Sequence, residues 1–521
     1  MTTPLESTRG FLVVCLGALA LGVLTYFAWP WAEEPVPTSA APQLVLLLSI
    51  DTLRADRVGP QDDGTSATPQ LDKLATVSHR FTQARSPIPF TLPAHASMLT
   101  GRYPVHHGIH DNGQVLEDGT TLPERLQAAG WQTAGFVAAG VLQRRFGIAR
   151  GFQAYDDGWV SGSSMQGVVQ RGCEEVNASV KRWLQASAEG PRFLFVHYFE
   201  PHRDYVPPSP FAERFEGDPY RGEVAYADHC AGALLWALAE RNLLNDALVI
   251  VTADHGEGLG DHDEVTHGLL TYESTQHVPL LIKGPGSTEG SVDDRFVSLV
   301  DIAPTVLAAA GLELGEPMDG IDLLSDVRGG PRTLWAESRR AIEWGATPAA
   351  VAYRDPLKYI HGARPELYDV RADSGETRNL FGLRAQDAEV LAAALRESGV
   401  VAAMSVQADG ALDAQTREML LALGYARAEE GAVAAAEPLD AKDIAHAYYL
   451  YAGLRGTVVY QGKLVPKERD LQLIRSVERE ASRLHEELPG VQMLATLAAD
   501  ARRLLAASSR SRSPLKGNAS F

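Results

Sequence analysis

Cysteine is scarce in this chain, three in 521 residues. No Cys/His cluster has the spacing of a zinc finger, and a disulfide framework of the kind that staples small secreted domains is excluded. Basic residues are also in deficit, with 47 Lys and Arg against 66 Asp and Glu and a formal net charge of −19. That balance argues against nucleic acid or anionic lipid as the main partner, since both need a cationic face. The one basic stretch, Arg510, Arg512 and Lys516, sits in a Ser-rich terminus. No internal repeat is visible. What remains is the composition of a large globular protein, 45% hydrophobic and long enough for more than one module.

One run is both long and wholly apolar. Phe11 to Ala32 carries no charge and ends in Tyr26, Phe27, Trp29 and Trp31. It is long enough to span a bilayer and exceeds the core of an ordinary signal peptide. Arg9 precedes it and Glu33-Glu34 follow, so the positive-inside rule places residues 1–10 in the cytoplasm. The reading is a membrane anchor at 11–32, with the rest of the chain periplasmic on a bacterial-type inner membrane. A cleaved signal, which makes the protein secreted, is the rival. Cys15 falls in this run, leaving Cys173 and Cys230 either to pair in an oxidising compartment or to remain buried thiols.

Beyond a Pro-containing linker at 33–42, residues 43–330 alternate apolar strands with helical stretches such as Val224–Arg241, the pattern of an α/β sheet covered on both faces. Short strands and turns follow over 331–400 and close in a helix at Ala385–Glu397. A helix and Ala/Glu-rich hinge occupy 401–438. A helical tail at 439–508 reads as Asp440–Arg455, Lys467–Glu487 and Val491–Ala507, packing on the body of the protein, and 509–521 reads as disordered.

The chemistry gathers where strands end. Leu44–Ile50 has the continuous apolar pattern of a parallel strand buried on both faces, and it stops at Asp51; Ala247–Thr252 leads into Asp254-His255-Gly256-Glu257. Ligands of open α/β sheets bind beyond the carboxyl ends of the strands. Asp51, Asp254 and His255 are therefore expected together, and two carboxylates with an imidazole suit one divalent ion such as Ca²⁺, Mn²⁺ or Zn²⁺. Thr91 opens Thr91-Leu92-Pro93-Ala94-His95, which reads as a helix start. A hydroxyl there is either an N-cap or a nucleophile and fourth ligand over an anion-binding helix end.

These segments, with Thr68-Pro69-Gln70-Leu71-Asp72, Leu99-Thr100-Gly101-Arg102-Tyr103-Pro104, Phe199-Glu200-Pro201-His202, Val300-Asp301-Ile302-Ala303-Pro304-Thr305 and Glu366-Leu367-Tyr368-Asp369, resemble the sulfatase family of the alkaline phosphatase superfamily over about residues 43–383. The resemblance implies an α/β/α sandwich with a mostly parallel central sheet and a small C-terminal antiparallel subdomain. It implies a metal-dependent ester hydrolase acting on a small-molecule, glycan or lipid ester. Sulfatases carry Cys or Ser in a C/S-x-P-S-R signature and convert it to formylglycine. Here the position is Thr91, which that conversion does not use, and the signature arginine is His95. The lysine-and-histidine sulfate clamp is also missing from Gly135–Gly140, and Thr52 stands where many sulfatases have another ligating Asp.

Threonine nucleophiles of this superfamily act on phosphorus. The expectation is therefore a phosphate or phosphonate (di)esterase, with Thr91 attacking, one metal and no formylglycine. His202 is a candidate general acid or oxyanion donor, with a histidine satisfied by a loop carbonyl as the rival, and His95 and His267 are expected donors to the charged group. Arg54 and Arg102 are expected to brace the site. The alternatives are a sulfuric ester hydrolase without formylglycine, a phosphoethanolamine-type envelope transferase, or a relative that binds a glycan or partner without chemistry.

Overall fold

Seven consecutive residues of β1, Leu44–Ile50, are all buried, because the strand has neighbours on both edges and helices on both faces. This computed structural model describes residues 41–158, 171–325, 332–404, 413, 416, 419–420, 439–446, 448–449, 468–487 and 492–511. The expected membrane anchor at 11–32, with 1–10 and nearly all of the 33–42 linker, lies outside the described residues. Among the described residues no helix is long and apolar enough to cross a membrane.

The main sheet continues with β2 His79–Arg85, β3 Gln132–Phe136, β4 Ala154–Asp156, β5 Arg192–Tyr198, β6 Ala247–Thr252, β7 His277–Lys283 and β8 Ser291–Ser298. Its order is β4-β3-β5-β1-β6-β7-β2-β8. All pairings are parallel except those of β7 with β6 and β2. The sheet is thus mostly parallel, as expected, with β7 alone reversed, and the reason for the reversal is local. The chain returns from the end of β6 through a loop on the same side of the sheet, without crossing back over it, so β7 must run the other way.

One group of helices, Pro69–Ala75, Cys173–Ala186 and Pro219–Ala239, packs together, and a second group comprises Thr91–Thr100, Leu122–Ala128 and Ile302–Ala309. The helix expected from Val224 starts earlier, because Asp218 caps it by accepting from the Arg221 amide at 3.1 Å.

A separate antiparallel sheet is built from β9 Leu334–Ser338, β11 Ala349–Arg354, β12 Leu357–His361 and β13 Glu366–Asp369, with β10 Ala346–Thr347 pairing β14 Leu439–Asp440 beside it. Helix Ala385–Glu397 falls where expected and buries Leu391 and Leu395 on that sheet.

The tail helices are Glu468–Glu487 and Gln492–Ser511. The second runs into the 509–511 stretch expected to be disordered; 512–521 and 450–455 lie outside the described residues. Ile474, Val477, Leu494 and Leu497 share one buried cluster with Trp344 and Tyr353, so the tail packs on the body.

Cys173 and Cys230 form a disulfide between two helices of one group, resolving the alternative left open by the sequence. The bond closes a loop of 57 residues in sequence, for which chain entropy gives a stabilisation of about 4 kcal/mol. Purified protein is expected to melt several degrees lower with a reductant present, and Cys230→Ser to melt low in either buffer. An unchanged melting temperature in both comparisons counts against the bond.

Candidate active site

β1 and β6 are hydrogen-bonded and parallel, with Ser49 opposite Thr252, so the residues beyond them emerge side by side. β2 and β5 run the same way, and Thr91 and His202 lie past their ends. The site is thus assembled at one edge of the sheet.

Asp51, Asp254 and His255 are fully buried. Thr52 takes a φ of 55°, a left-handed conformation that costs a β-branched residue about 1–3 kcal/mol. The Thr52 amide donates to Asp254 Oδ1 at 3.2 Å, and the His255 amide donates to the same oxygen at 2.9 Å. Asp254 is thereby pinned by one oxygen, leaving Oδ2 3.5 Å from His255 Nε2; Asp51 Oδ1 lies 3.9 Å from that nitrogen. His255 Nδ1 donates to the Gly256 carbonyl at 2.9 Å, which leaves the lone pair of the neutral ring on Nε2.

Both oxygens of Asp51, Asp254 Oδ2, His255 Nε2 and Thr52 Oγ1 are buried without a hydrogen-bond partner. Native proteins satisfy such atoms. Burial, and then the neighbouring Asp254, push Asp51 well above the usual carboxylate range. Burial also acts to raise Asp254, but His255, His95 and His197 bring it below its ordinary value. One atom from each of Asp51, Asp254 and His255 lies within 4.8 Å of the others, as ligands of a single ion require. The orphaned acceptors, their charge and their spacing all fit a divalent cation.

Two further histidines lie behind this triad. His95 Nδ1 donates to the Thr91 carbonyl at 2.7 Å and lies 3.9 Å from Asp254 Oδ2, so one imidazole separates the Thr91 carbonyl from Asp254. His95 Nε2 accepts from Ser49 Oγ at 2.9 Å. The ring therefore ties the Thr91 helix to β1, whereas the sequence reading expected it to present a donor to the charged group. Burial holds it neutral, with a pKa down at about 3.

His197, on β5, was not singled out in the sequence. The polar residue inside the apolar Phe193-Leu194-Phe195-Val196 strand was the available signal. The Ala138 amide donates to its Nδ1 at 3.4 Å, so the neutral ring carries its proton on Nε2, 3.4 Å from Asp51 Oδ2. His197 Nε2 makes no hydrogen bond to Asp51, and with His95 and Asp254 the ring forms a second group at ligand spacing.

Thr91 is the first residue of its helix and is 1% exposed. Asn112 Oδ1 accepts from the Leu92 amide at 2.9 Å, a support that sequence reading also missed. His202 Nδ1 donates to the Arg203 carbonyl at 2.7 Å, and its ring lies 5.1 Å from that of His267. His267 in turn lies 4.4 Å from the His255 ring and pairs through Nδ1 with Glu257 Oε1 at 3.0 Å. Glu257 Oε2 accepts from Tyr205 Oη at 2.9 Å. Burial, and next the His267 charge, hold His202 neutral with a pKa of about 3.

Arg54 braces the loop as expected, donating to the Glu257 carbonyl at 3.1 Å and pairing with Asp56 and Asp261 at 2.8 Å. Arg102 is half-buried, its guanidinium against Gly119.

The sulfatase family profile matches residues 43–312, and the chain belongs to that family. It is 29% identical over 348 residues to bovine (Bos taurus) arylsulfatase A, covering 55% of this chain and 68% of that protein. It is 24% identical over 432 residues to an arylsulfatase of Clostridium perfringens, covering 65% and 90%. Among solved structures it superposes on the phosphonate monoester hydrolase of Agrobacterium radiobacter with a TM-score of 0.58 at 21% identity, covering 70% of this chain and 96% of that one. The chain is an ester hydrolase of the sulfatase/alkaline phosphatase superfamily, a group that binds a divalent metal.

Asp51→Asn is expected to lose the metal by elemental analysis, yet to melt higher than chelator-treated wild type. Removing one of two facing carboxylates relieves a repulsion that the metal-free wild type retains. A variant that melts below chelated wild type would contradict the metal-centre assignment.

Proposed function

We propose that the protein cleaves phosphate or phosphonate esters through a covalent intermediate on Thr91. The observation that carries the reading is the threonine itself, whose carbonyl accepts from His95, the imidazole that lies 3.9 Å from Asp254. A formylglycine hydrate releases sulfate by elimination, an exit that a threonine ester lacks. A phosphothreonine can instead be opened by water at phosphorus.

Asp51, Asp254, His255 and the Thr91 hydroxyl would hold the ion, whose charge favours the Thr91 alkoxide and offsets charge on the phosphoryl oxygens. Thr91 Oγ1 forms a bond to phosphorus as the bond to the ester oxygen breaks. Water then attacks phosphorus, the Thr91 oxygen leaves and regains a proton, and the product phosphate or phosphonate departs. His202 is assigned to the leaving oxygen. Its Nδ1 proton is committed to the Arg203 carbonyl, so proton donation uses the imidazolium, which a bound anionic ester favours over the uncharged resting ring. His267, oriented by Glu257, is assigned to the charged group of the substrate. His95 is reassigned from donor to a residue that positions Thr91.

Sulfuric ester hydrolysis is the second reading, favoured by the arylsulfatase relatives. The apolar run 11–32 and the Cys173–Cys230 bond support an anchored protein with its catalytic domain in an oxidising, extracytoplasmic compartment.

Metal-loaded protein is expected to hydrolyse bis(4-nitrophenyl) phosphate or a phenylphosphonate ester, with 4-nitrophenyl sulfate a poor substrate. Thr91→Ala is expected to lose roughly a thousandfold or more in kcat, and chelator to abolish turnover. Sulfate turnover that depends on Thr91 would replace this reading with the second. Phosphoester turnover that survives Thr91→Ala would remove the covalent step.

A further inference from the structure

The helical tail lies beyond residues 43–312 that match the family, yet it reaches the loop that carries His267. Tyr449 Oη donates to Glu264 Oε1 at 2.7 Å. The same oxygen accepts from the Leu269 amide at 3.1 Å and the Leu270 amide at 3.0 Å. Tyr449 Oη also lies 3.5 Å from the His267 carbonyl. Both Glu264 and Tyr449 are buried, so water does not compete for these bonds.

Main-chain bonds also tie the first half of the loop, from the Gly258 amide to the Thr266 carbonyl at 2.5 Å and from the Glu264 amide to the Asp261 carbonyl at 3.0 Å. The Gly260 amide donates to the Glu264 carbonyl at 2.8 Å, and Ser338 Oγ donates to the Gly268 carbonyl at 2.6 Å. Gly268, at a φ of 103°, lies so close to Phe90 that a β-carbon there would come within 2.7 Å of the ring. Phe90 is the residue before Thr91. The loop therefore touches the proposed nucleophile's helix on one side and the Glu257–His267 pair on the other, and one carboxylate oxygen holds its far edge.

The tyrosine is itself firmly placed. Tyr448 and Tyr449 are in edge contact at 4.9 Å, and Tyr448 meets the Trp344 ring edge-on at 5.7 Å. Ile444 and Ala445 are buried in the cluster that contains Trp344. A tail used only to cover apolar surface has no need of a buried hydroxyl aimed at a buried carboxylate.

We infer that Tyr449 is a positioning residue, and that the tail contributes to catalysis by fixing the 264–270 loop and with it His267. The inference rests on the reading that His267 belongs to the reacting site. Tyr449→Phe keeps the ring and deletes the hydroxyl; Tyr448→Phe removes a buried hydroxyl from the same segment and serves as control. In the full-length, metal-loaded protein, amide exchange of the peptide spanning Leu269 and Leu270 is expected to quicken roughly tenfold in Tyr449→Phe and to stay unchanged in Tyr448→Phe. With bis(4-nitrophenyl) phosphate, kcat is expected to fall about tenfold in Tyr449→Phe while KM stays within about twofold. Glu264→Gln keeps an acceptor oxygen and is expected to retain protection and turnover. Glu264→Ala leaves the tail untouched and is expected to free the same amides should Tyr449→Phe not fold. Unchanged exchange in Tyr449→Phe or Glu264→Ala overturns the latch. Faster exchange at unchanged kcat overturns its role in catalysis. The exchange measurement does not depend on turnover, so failure of the phosphoester reading shows separately, as inactivity of the wild type.

Discussion

Two carboxylates, Asp51 and Asp254, share a volume from which water is excluded, and the rest of the site is arranged around that fact. Charges 4.8 Å apart, the outer limit set by the cluster, repel by about 3–4 kcal/mol at an effective dielectric constant of 20. Burying each ion costs several kcal/mol more. Backbone hydrogen bonds at about 1 kcal/mol apiece offset little of this, and the two available both go to one oxygen of Asp254. His255 Nε2, 3.5 Å from Asp254 and 3.9 Å from Asp51, faces both carboxylates, and a divalent cation there would offset both with twice the charge of an imidazolium. The parallel pairing of β1 with β6 makes the conflict inevitable, since it delivers both acids to the same sheet edge.

Around that centre, buried histidines are told apart by what their Nδ1 atoms meet. A carbonyl at Nδ1 of His255 puts the lone pair of Nε2 at the acids. A backbone amide at Nδ1 of His197 puts a proton there instead. His95, with a carbonyl on one nitrogen and a serine hydroxyl on the other, has neither to spare and becomes a strut between the Thr91 helix and β1. Three imidazoles within one small volume thus take up three tasks, and the selection is made by main-chain groups.

The meeting of Asp51, Asp254 and His255 was legible because it depends only on strand ends. A buried parallel strand announces itself as an apolar run, and the residues just past its carboxyl end must lie at the sheet edge. Asp51, Asp254 and His255 could therefore be placed together from sequence. The helix start at Thr91 and the bracing by Arg54 were legible for similar, local reasons. His197, Asn112 and the role of His95 were not. Each depends on which neighbour's N–H or C=O stands opposite a ring or amide, and that is set by packing between segments far apart in the chain. The reversed β7 was hidden for a related reason: an apolar strand reads the same in either direction, and only the path of the loop before it decides. The Cys173–Cys230 bond needed the two helices to be brought together before it could be chosen over free thiols.

The same separation of causes bears on substrate. Sheet, acid pair and His255 would serve a sulfate or a phosphate ester equally, since each requires only a cation beside a tetrahedral anion. What distinguishes them is how the covalent intermediate is opened. A threonine ester has no second hydroxyl on its carbon from which to expel the group, so resolution falls to attack by water at the central atom. That route suits phosphorus, which forms new bonds to oxygen in line as the old ones break. The clamp that grips sulfate in the family's signature has no counterpart legible in Gly135–Gly140, while His202 meets the His267 ring edge-on and His267 bonds to Glu257. The framework carries the family's fold, and the threonine at the start of one helix is where this chain departs from the family's signature.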